Sequence, residues 1–232
     1  MKKAITLSAV TLALLVAGAS GASAAPVIVG QQNSTGTIGF TANSKAQDIT
    51  NPEVPKLTHS GGSPGALAID YVSKLDFGKP QISSKSVTYY AKADTTAFNG
   101  TPVGAFVEMH DLRGLGTGNG THLTVTQKAQ FKNDKGKFIE KATLSFSAGK
   151  AANAGGGSYP STATNSFTLT PGFAENVMST DGTSGQFLTS YGKAADYKGN
   201  TDGGPISLSV PSGSALAQDF STTLEWDLVL GP

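Results

Sequence analysis

The residue types that most often perform acid–base or metal chemistry are sparse in this chain. It has three histidines, His59, His110 and His122, and Asp111 directly follows the second of them. His110 and His122 flank one glycine-rich loop, so an antiparallel strand pair can bring them close together. A metal or catalytic site would still need a third ligand, or a nucleophile, that the pattern does not nominate. We therefore expect these to be polar residues at strand ends.

The glycine-rich loop between these two histidines is like a phosphate-binding loop in composition alone. It reads Asp111-Leu112-Arg113-Gly114-Leu115-Gly116-Thr117-Gly118-Asn119-Gly120. It lacks the lysine and the following helix that a nucleotide-binding loop requires. The glycines instead predict a connection with several positive φ angles. We expect Asp111 and Arg113 to pair across its first turn and hold the loop in place.

Two weaker signals concern sugars. Paired carboxylates cleave glycosidic bonds, but their separation is a spatial quantity, and the acidic residues here are few and scattered over alternate surface positions. Tyrosine rings can stack on sugars, although scattered tyrosines in β proteins mostly pack as amphipathic side chains. These tyrosines are Tyr89, Tyr90, Tyr159, Tyr191 and Tyr197. We predict that the chain is not an enzyme and binds no cofactor or metal.

Period-two alternation of apolar and polar residues dominates the chain from about residue 65 onwards. Turn sequences such as Asn99-Gly100 separate the alternating runs, and no amphipathic helix extends beyond a turn or two. This pattern predicts an all-β fold, a single β-sandwich or barrel-like domain of antiparallel strands with an extended N-terminal arm. The chain has no cysteine, so packing and not disulfide bonds must stabilise it.

The last predicted strand, residues 220–230, carries the chain's single tryptophan. Alternate side chains of a strand point to opposite faces. One face therefore holds Phe220, Thr222, Leu224, Trp226, Leu228 and Leu230, and the other holds Ser221, Thr223, Glu225, Asp227 and Val229. A continuous apolar strand face is normally buried. We expect Trp226 and Leu228 to pack in the core, with direct ligand contact as the alternative.

The N-terminal residues predict export. Lys2 and Lys3 precede an apolar run over residues 4–17, and Ala22-Ser23-Ala24 has the small-x-small pattern of a signal peptidase site. We predict a signal peptide over residues 1–24. The alternative, a retained membrane anchor, would need about 20 apolar residues, so we expect no membrane insertion of the mature chain.

Residues 25–64 are predicted to form an arm and linker, and residues 65–232 the β domain. One short strand is expected at 37–41 within the arm. Prolines at 52 and 55 and the run Ser60-Gly61-Gly62-Ser63-Pro64 follow it, so we expect the arm to be mobile or loosely docked.

Charge argues against some classes of partner. Removal of Lys2 and Lys3 with no acidic residue turns the formal charge of +1 for the whole chain into −1 for the mature chain. Arg113 is its single arginine. A near-neutral protein with one arginine is a poor candidate for binding nucleic acid or anionic lipid. An exported chain that has a signal peptide and no cysteines fits a Gram-positive bacterial surface better than a eukaryotic secreted protein.

Several ordered blocks resemble the WxL-domain surface proteins of low-GC Gram-positive bacteria, from about Ser34 to the end of the chain. The first block is Ser34-Thr35-Gly36-Thr37-Ile38-Gly39-Phe40, followed by a proline-bearing spacer. The second and third are residues 67–78, reading LAIDYVSKLDFG, and residues 107–118, reading VEMHDLRGLGTG. The last is Thr223-Leu224-Glu225-Trp226-Asp227-Leu228 before the closing Gly-Pro.

One departure from the family pattern affects its defining motif. The family carries two Trp-x-Leu motifs, and the first should follow Gly120. Here Thr121 stands in the tryptophan position while Leu123 is kept, so the first motif is degenerate. Trp226 and Leu228 form the second, complete motif, which is either structural or wall-binding.

The resemblance implies a function without catalysis. It implies non-covalent attachment to the cell wall, with peptidoglycan or another wall polymer as ligand, and complexes with WxL-interacting surface proteins. We therefore expect a secreted protein of the Gram-positive cell wall or surface. The alternative is an adhesion or assembly module that binds a surface protein or a host ligand without touching the wall.

Overall fold

The computed structural model describes residues 28–159 and 161–231. The predicted signal peptide lies outside these residues. The chain divides into a first unit that ends at Gly39 and a second that begins at Phe40. In the described ranges, no helix has the length and apolar character that a membrane-spanning helix needs.

The described residues form fifteen strands and one short 3₁₀ turn, Ala194–Asp196. The strands are β1 (Ile49–Thr50), β2 (Thr58–His59), β3 (Leu67–Val72), β4 (Val87–Lys92), β5 (Phe106–Asp111), β6 (Thr121–Gln127), β7 (Thr143–Phe146), β8 (Gly149–Asn153), β9 (Ser161–Ala163), β10 (Phe167–Leu169), β11 (Ala174–Thr180), β12 (Gly185–Tyr191), β13 (Lys198–Asn200), β14 (Ile206–Val210) and β15 (Leu224–Leu230). Every strand pairing among them is antiparallel. The predicted all-β class is therefore confirmed.

Three sheets surround one hydrophobic core, and β1 pairs with β2 beside them. Their strand orders are β10-β7-β14-β4-β13, β15-β6-β11-β9 and β3-β5-β12-β8. The core takes buried side chains from all three sheets, among them Met109, Leu123, Leu144, Phe187 and Ile206. Period-two alternation produces this arrangement because each strand sends its apolar face to the shared interior.

Two predicted strands differ from the structure. Residues 28–46 are exposed and contain no strand, so the strand expected at 37–41 is wrong. A short alternating run forms a strand only when another strand satisfies its backbone hydrogen bonds, so alternation alone does not suffice. The last strand starts at Leu224 and not at residue 220, because Ser221 makes only an isolated bridge with Lys132.

The expectation of a loosely docked arm is also wrong for residues 49–64. Ile49 is buried in a second apolar cluster with Phe98, Val103 and Phe106. The Glu53 carboxylate accepts hydrogen bonds from the backbone N–H groups of Gly104 and Ala194, both at 2.8 Å. Glycines and prolines had suggested flexibility, but buried contacts between distant residues fix this segment.

Candidate functional site

A groove of about 1060 Å³ opens between two long irregular connections. Residues 73–85, between β3 and β4, form one wall, and residues 211–223, between β14 and β15, form the other. Its lining includes the aromatic side chains Phe77, Tyr89, Phe131, Phe220 and Trp226. The groove is about as large as the largest typical ligand sites, which combine apolar and aromatic walls with a few polar groups.

Charged side chains stand at the rim of the groove. Lys79 Nζ lies 2.9 Å from Asp219 Oδ2 and joins the two walls, but about 80% of each of these side chains is exposed. Such a surface ion pair contributes about 0–1 kcal/mol. Lys74 and Lys85 also line the groove. A ligand can therefore displace the bridge at little cost and meet lysines at the rim.

Trp226 is half-buried, with one part packed against the core and another lining the groove. Leu224 and Leu228 share its face and are also half-buried, whereas the opposite face of β15 is exposed. The alternation of the strand thus places the Trp-x-Leu pair inward, at the margin of the core. Trp226 therefore both packs against the core and faces the groove.

The complete and the degenerate motif lie on neighbouring antiparallel strands. Leu123 of β6 stands directly opposite Leu228 of β15, and Thr121 stands opposite Leu230. Trp226 pairs with Val125. The two leucines therefore meet across the ladder, and the two tryptophan positions flank them at opposite ends. Both Thr121 and Leu123 are fully buried.

Thr121 belongs to a hydrogen-bond network centred on Arg113. The guanidinium binds both carboxylate oxygens of Asp111, at 2.9 Å from Nε and 2.7 Å from Nη2. Its Nη2 also donates to the Asn119 carbonyl at 3.0 Å and to Thr121 Oγ1 at 3.1 Å. The structure therefore brings Asp111, Arg113 and Thr121 together. Positive φ angles at three glycines complete the loop, Gly114, Gly116 and Gly118.

Replacing Arg113 with lysine is expected to lower the melting temperature by a few degrees. Lysine carries a point charge and cannot form the two parallel hydrogen bonds of the guanidinium. Since Asp111 is 1% exposed, the lost bonds cost about 1–2 kcal/mol. Calorimetry of Arg113→Lys tests this, with Lys79→Ala as the exposed control that should melt like the wild type. A normal melting temperature for Arg113→Lys would contradict the role given to this network.

A buried ion pair joins β3 and β5. His110 Nδ1 lies 2.8 Å from Asp70 Oδ2, and both side chains are fully buried. His110 Nε2 lies 2.6 Å from the Gly65 carbonyl oxygen. Both ring nitrogens thus face acceptors, which fits the doubly protonated imidazolium. Burial disfavours that charge, but the hydrogen bonds to Asp70 and Gly65 outweigh it and raise the pKa of His110.

Glu108 lies on the same strand and is also fully buried. It accepts hydrogen bonds from the Thr50 backbone N–H and from Gln186 Nε2, both at 2.8 Å. Burial raises the pKa of Glu108 to about 8, opposed by the Thr50 hydrogen bond and assisted by the charge of Asp70. Gln186 Nε2 also donates to the Asp48 carbonyl at 2.6 Å. Glu108 and His110 therefore hold residues 48–65 against the β3-β5-β12-β8 sheet.

These two groups predict a pH dependence of stability. Glu108 and His110 bind protons more tightly in the folded than in the unfolded chain, so the free energy of unfolding falls as pH rises. For Glu108 the fall runs from the ordinary value of 4.5 to about 8. The melting temperature should therefore be higher at pH 5 than at pH 8. Glu108→Gln should flatten the dependence of the melting temperature on pH. A wild-type melting temperature that rises from pH 5 to pH 8 would contradict this prediction.

The histidines do not assemble into one site. His110 lies in the β3-β5-β12-β8 sheet, and His122 lies in the other four-stranded sheet, where its Nδ1 is 2.8 Å from Ser179 Oγ. Residues 28–159 and 161–231 contain no group of three or more His, Asp or Glu side chains placed to hold a metal ion. The Asp70–His110 pair and Glu108 were missed from the sequence, although each acid interrupts an apolar strand.

Comparison with known proteins identifies the family. A family model described as WxL domain, surface cell wall-binding, matches residues 28–232. No curated protein and no solved structure matches the chain. The match covers nearly the whole sequence, including both motif strands and both walls of the groove. The protein is accordingly a cell-wall-associated surface protein, and the chain belongs to the WxL domain family.

Proposed function

We propose that the protein is secreted and attaches non-covalently to the cell wall of a Gram-positive bacterium by binding peptidoglycan, or a wall-bound partner, in the groove that Trp226 lines. The observation that supports this most directly is the position of the motif tryptophan. It lies in a chain that matches a wall-binding domain over residues 28–232, and it is open to the groove and not enclosed in the core.

The chemistry of the groove suits a wall glycan. Aromatic side chains such as Phe77 and Trp226, both half-buried, offer flat apolar faces to the groove. Lysines at the rim match the carboxylates of peptidoglycan stem peptides. No catalytic group is needed for this role. The domain family is one of wall binding and not of enzymes.

Co-sedimentation of the mature protein with stripped cell walls tests the proposal. Ile82 and Leu216 line the groove and are 56% and 48% exposed, so replacing either with aspartate leaves the core intact. We expect each variant to bind walls about tenfold more weakly, because a charged group must then be buried against the ligand. Leu115→Asp is the matched control, since Leu115 is 55% exposed and lies outside the groove. Unchanged binding by both groove variants would refute the assignment.

The second candidate is an adhesion or assembly module that binds a WxL-interacting surface protein or a host ligand without wall contact. The observation in its favour is that β15 is the end strand of its sheet. An end strand with free backbone groups is a ready template for another chain. Binding to such a partner by protein that does not sediment with purified walls would favour this candidate over the first.

A further inference from the structure

We propose that β15 is a docking edge, onto which a partner surface protein adds an extended strand with basic side chains on one face and apolar side chains on the other. The inference rests on the second candidate function above and names the partner's chemistry. Two independent features of the described chain carry it. One is the free backbone of β15, and the other is the groove next to it.

The register of the β6–β15 ladder shows which backbone groups are free. The hydrogen bonds from Lys128 N–H to the Thr223 carbonyl and from Gly231 N–H to the Gly120 carbonyl, at 2.9 and 3.2 Å, mark the hydrogen-bonded pairs at odd positions of β15. The even positions therefore direct N–H and C=O away from β6. These are Leu224, Trp226, Leu228 and Leu230. None of their backbone groups has a hydrogen-bond partner on that side in the described residues.

The side chains of β15 specify what an added strand must offer. On the outward face, Glu225 and Asp227 are exposed. Lys128 Nζ binds Glu225 Oε2 at 2.7 Å, whereas no ion pair within 4.0 Å is formed by Asp227 in the described chain. Residues directly opposite each other across strands interact, and opposite charges stabilise the pairing. A basic side chain beside Asp227 is therefore favoured.

The inward face of β15 selects apolar residues. Leu224 and Trp226 both line the groove, so alternate side chains of an added strand would enter it beside them. Strand addition characteristically draws its affinity from main-chain hydrogen bonds and its specificity from pockets for alternate side chains. Here the free edge supplies the main-chain hydrogen bonds and the groove supplies the pockets for side chains. A sugar or a lone carboxylate would leave the edge unused.

A second copy of the same strand is a poor partner. Two antiparallel β15 strands in full overlap would place Asp227 opposite Asp227. If the two strands were instead shifted so that Trp226 stood opposite Trp226, Glu225 would stand opposite Asp227. Like charges directly opposite each other destabilise a strand pair, and charged edge residues are a usual guard against self-association. The acidic face therefore excludes the protein's own edge and admits a basic one.

The test uses a synthetic nine-residue peptide of alternating lysine and valine, long enough to cover the seven residues of β15. Trp226 is the single tryptophan, so its fluorescence reports directly from this edge. Titration to millimolar peptide should shift the emission, and hydrogen exchange should slow at Leu224, Trp226, Leu228 and Leu230. The peptide with glutamate in place of lysine should bind at least tenfold more weakly.

A charge reversal provides the matched pair of variants. Asp227→Lys should weaken binding of the lysine peptide at least tenfold, whereas Asp202→Lys should not, because Asp202 is exposed in the loop between β13 and β14 and those strands belong to another sheet. An emission shift without slowed exchange at the four edge amides would overturn the inference, and so would equal binding by Asp227→Lys. Wall sedimentation run in parallel separates the claims, since wall binding without edge protection leaves the proposed attachment intact and refutes the docking edge.

Discussion

Replacing Asp70 with alanine is expected to lower the free energy of unfolding by about 3–5 kcal/mol, the usual cost of removing one partner of a buried ion pair. His110 would keep its contact with the Gly65 carbonyl but lose the carboxylate beside Nδ1. The Ser63 backbone N–H would also lose its acceptor, Asp70 Oδ1, at 3.1 Å. At roughly 2–4 °C per kcal/mol for a domain of this size, the melting temperature should fall by about 10 °C.

A matched control separates burial from charge. Asp76 also forms an ion pair, with Lys92 Nζ at 2.9 Å, but both side chains are more than half exposed. Asp76→Ala should therefore cost no more than about 1 kcal/mol. In a His110→Leu background, Asp70→Ala should cost less than in the wild type, because no unpaired imidazolium remains. Equal melting of Asp70→Ala and Asp76→Ala would show that the buried pair does not hold β3 to β5.

The alternation of side chains made much of the fold predictable. For β15 it placed Leu224, Trp226 and Leu228 on one face and Glu225 and Asp227 on the other, and the structure has this division. Period-two patterning suffices here because β15 has one face against the core and the other towards solvent. The antiparallel all-β class follows from the same pattern, repeated between short turns.

Strand β5, which is buried on both faces, defeats the same reasoning. All six residues of β5 are buried. Glu108 and His110 are therefore buried as well, although the alternating pattern gives no indication of this. Their burial depends on residues 48–65, which cover the sheet and were expected to be loose. A shift in register between Ile69 and Tyr71 adds to this, since it makes Asp70 the extra residue of a bulge and allows it to reach His110. Such tertiary contacts leave no periodic signal in the chain.

The groove was hidden for a different reason. Its two walls are far apart in sequence, as the Lys79–Asp219 contact across 140 positions shows. Neither wall has regular secondary structure over most of its length. Neither therefore shows a periodic pattern of apolar residues by which it could be predicted. Only the tryptophan carried a sequence signal for this place. Its neighbours in the site became identifiable once the strand that bears it was positioned.

Replacing Trp226 with alanine is expected to lower both stability and wall binding. Fully buried aromatic residues cost about 3–5 kcal/mol when truncated to alanine. Because Trp226 is half-buried, we expect about 2–3 kcal/mol and a fall in melting temperature of about 5–10 °C. The side chain removed also lines the groove beside Leu224, so binding to stripped walls should be lost. Calorimetry and sedimentation on the same preparation measure the two effects.

The relation between the two effects decides which role of Trp226 dominates. Trp226→Phe keeps an aromatic ring against the core and should recover most of the melting temperature. If wall binding returns in proportion to stability across the wild type, Trp226→Phe and Trp226→Ala, packing is the main role, and binding is lost because the groove loses its shape. If Trp226→Ala melts normally and still fails to bind, the indole ring contacts the ligand, and the inward position of β15 serves to present it. An alanine variant that melts and binds like the wild type would refute both roles, since no other side chain of β15 both packs on the core and offers an aromatic face to the groove.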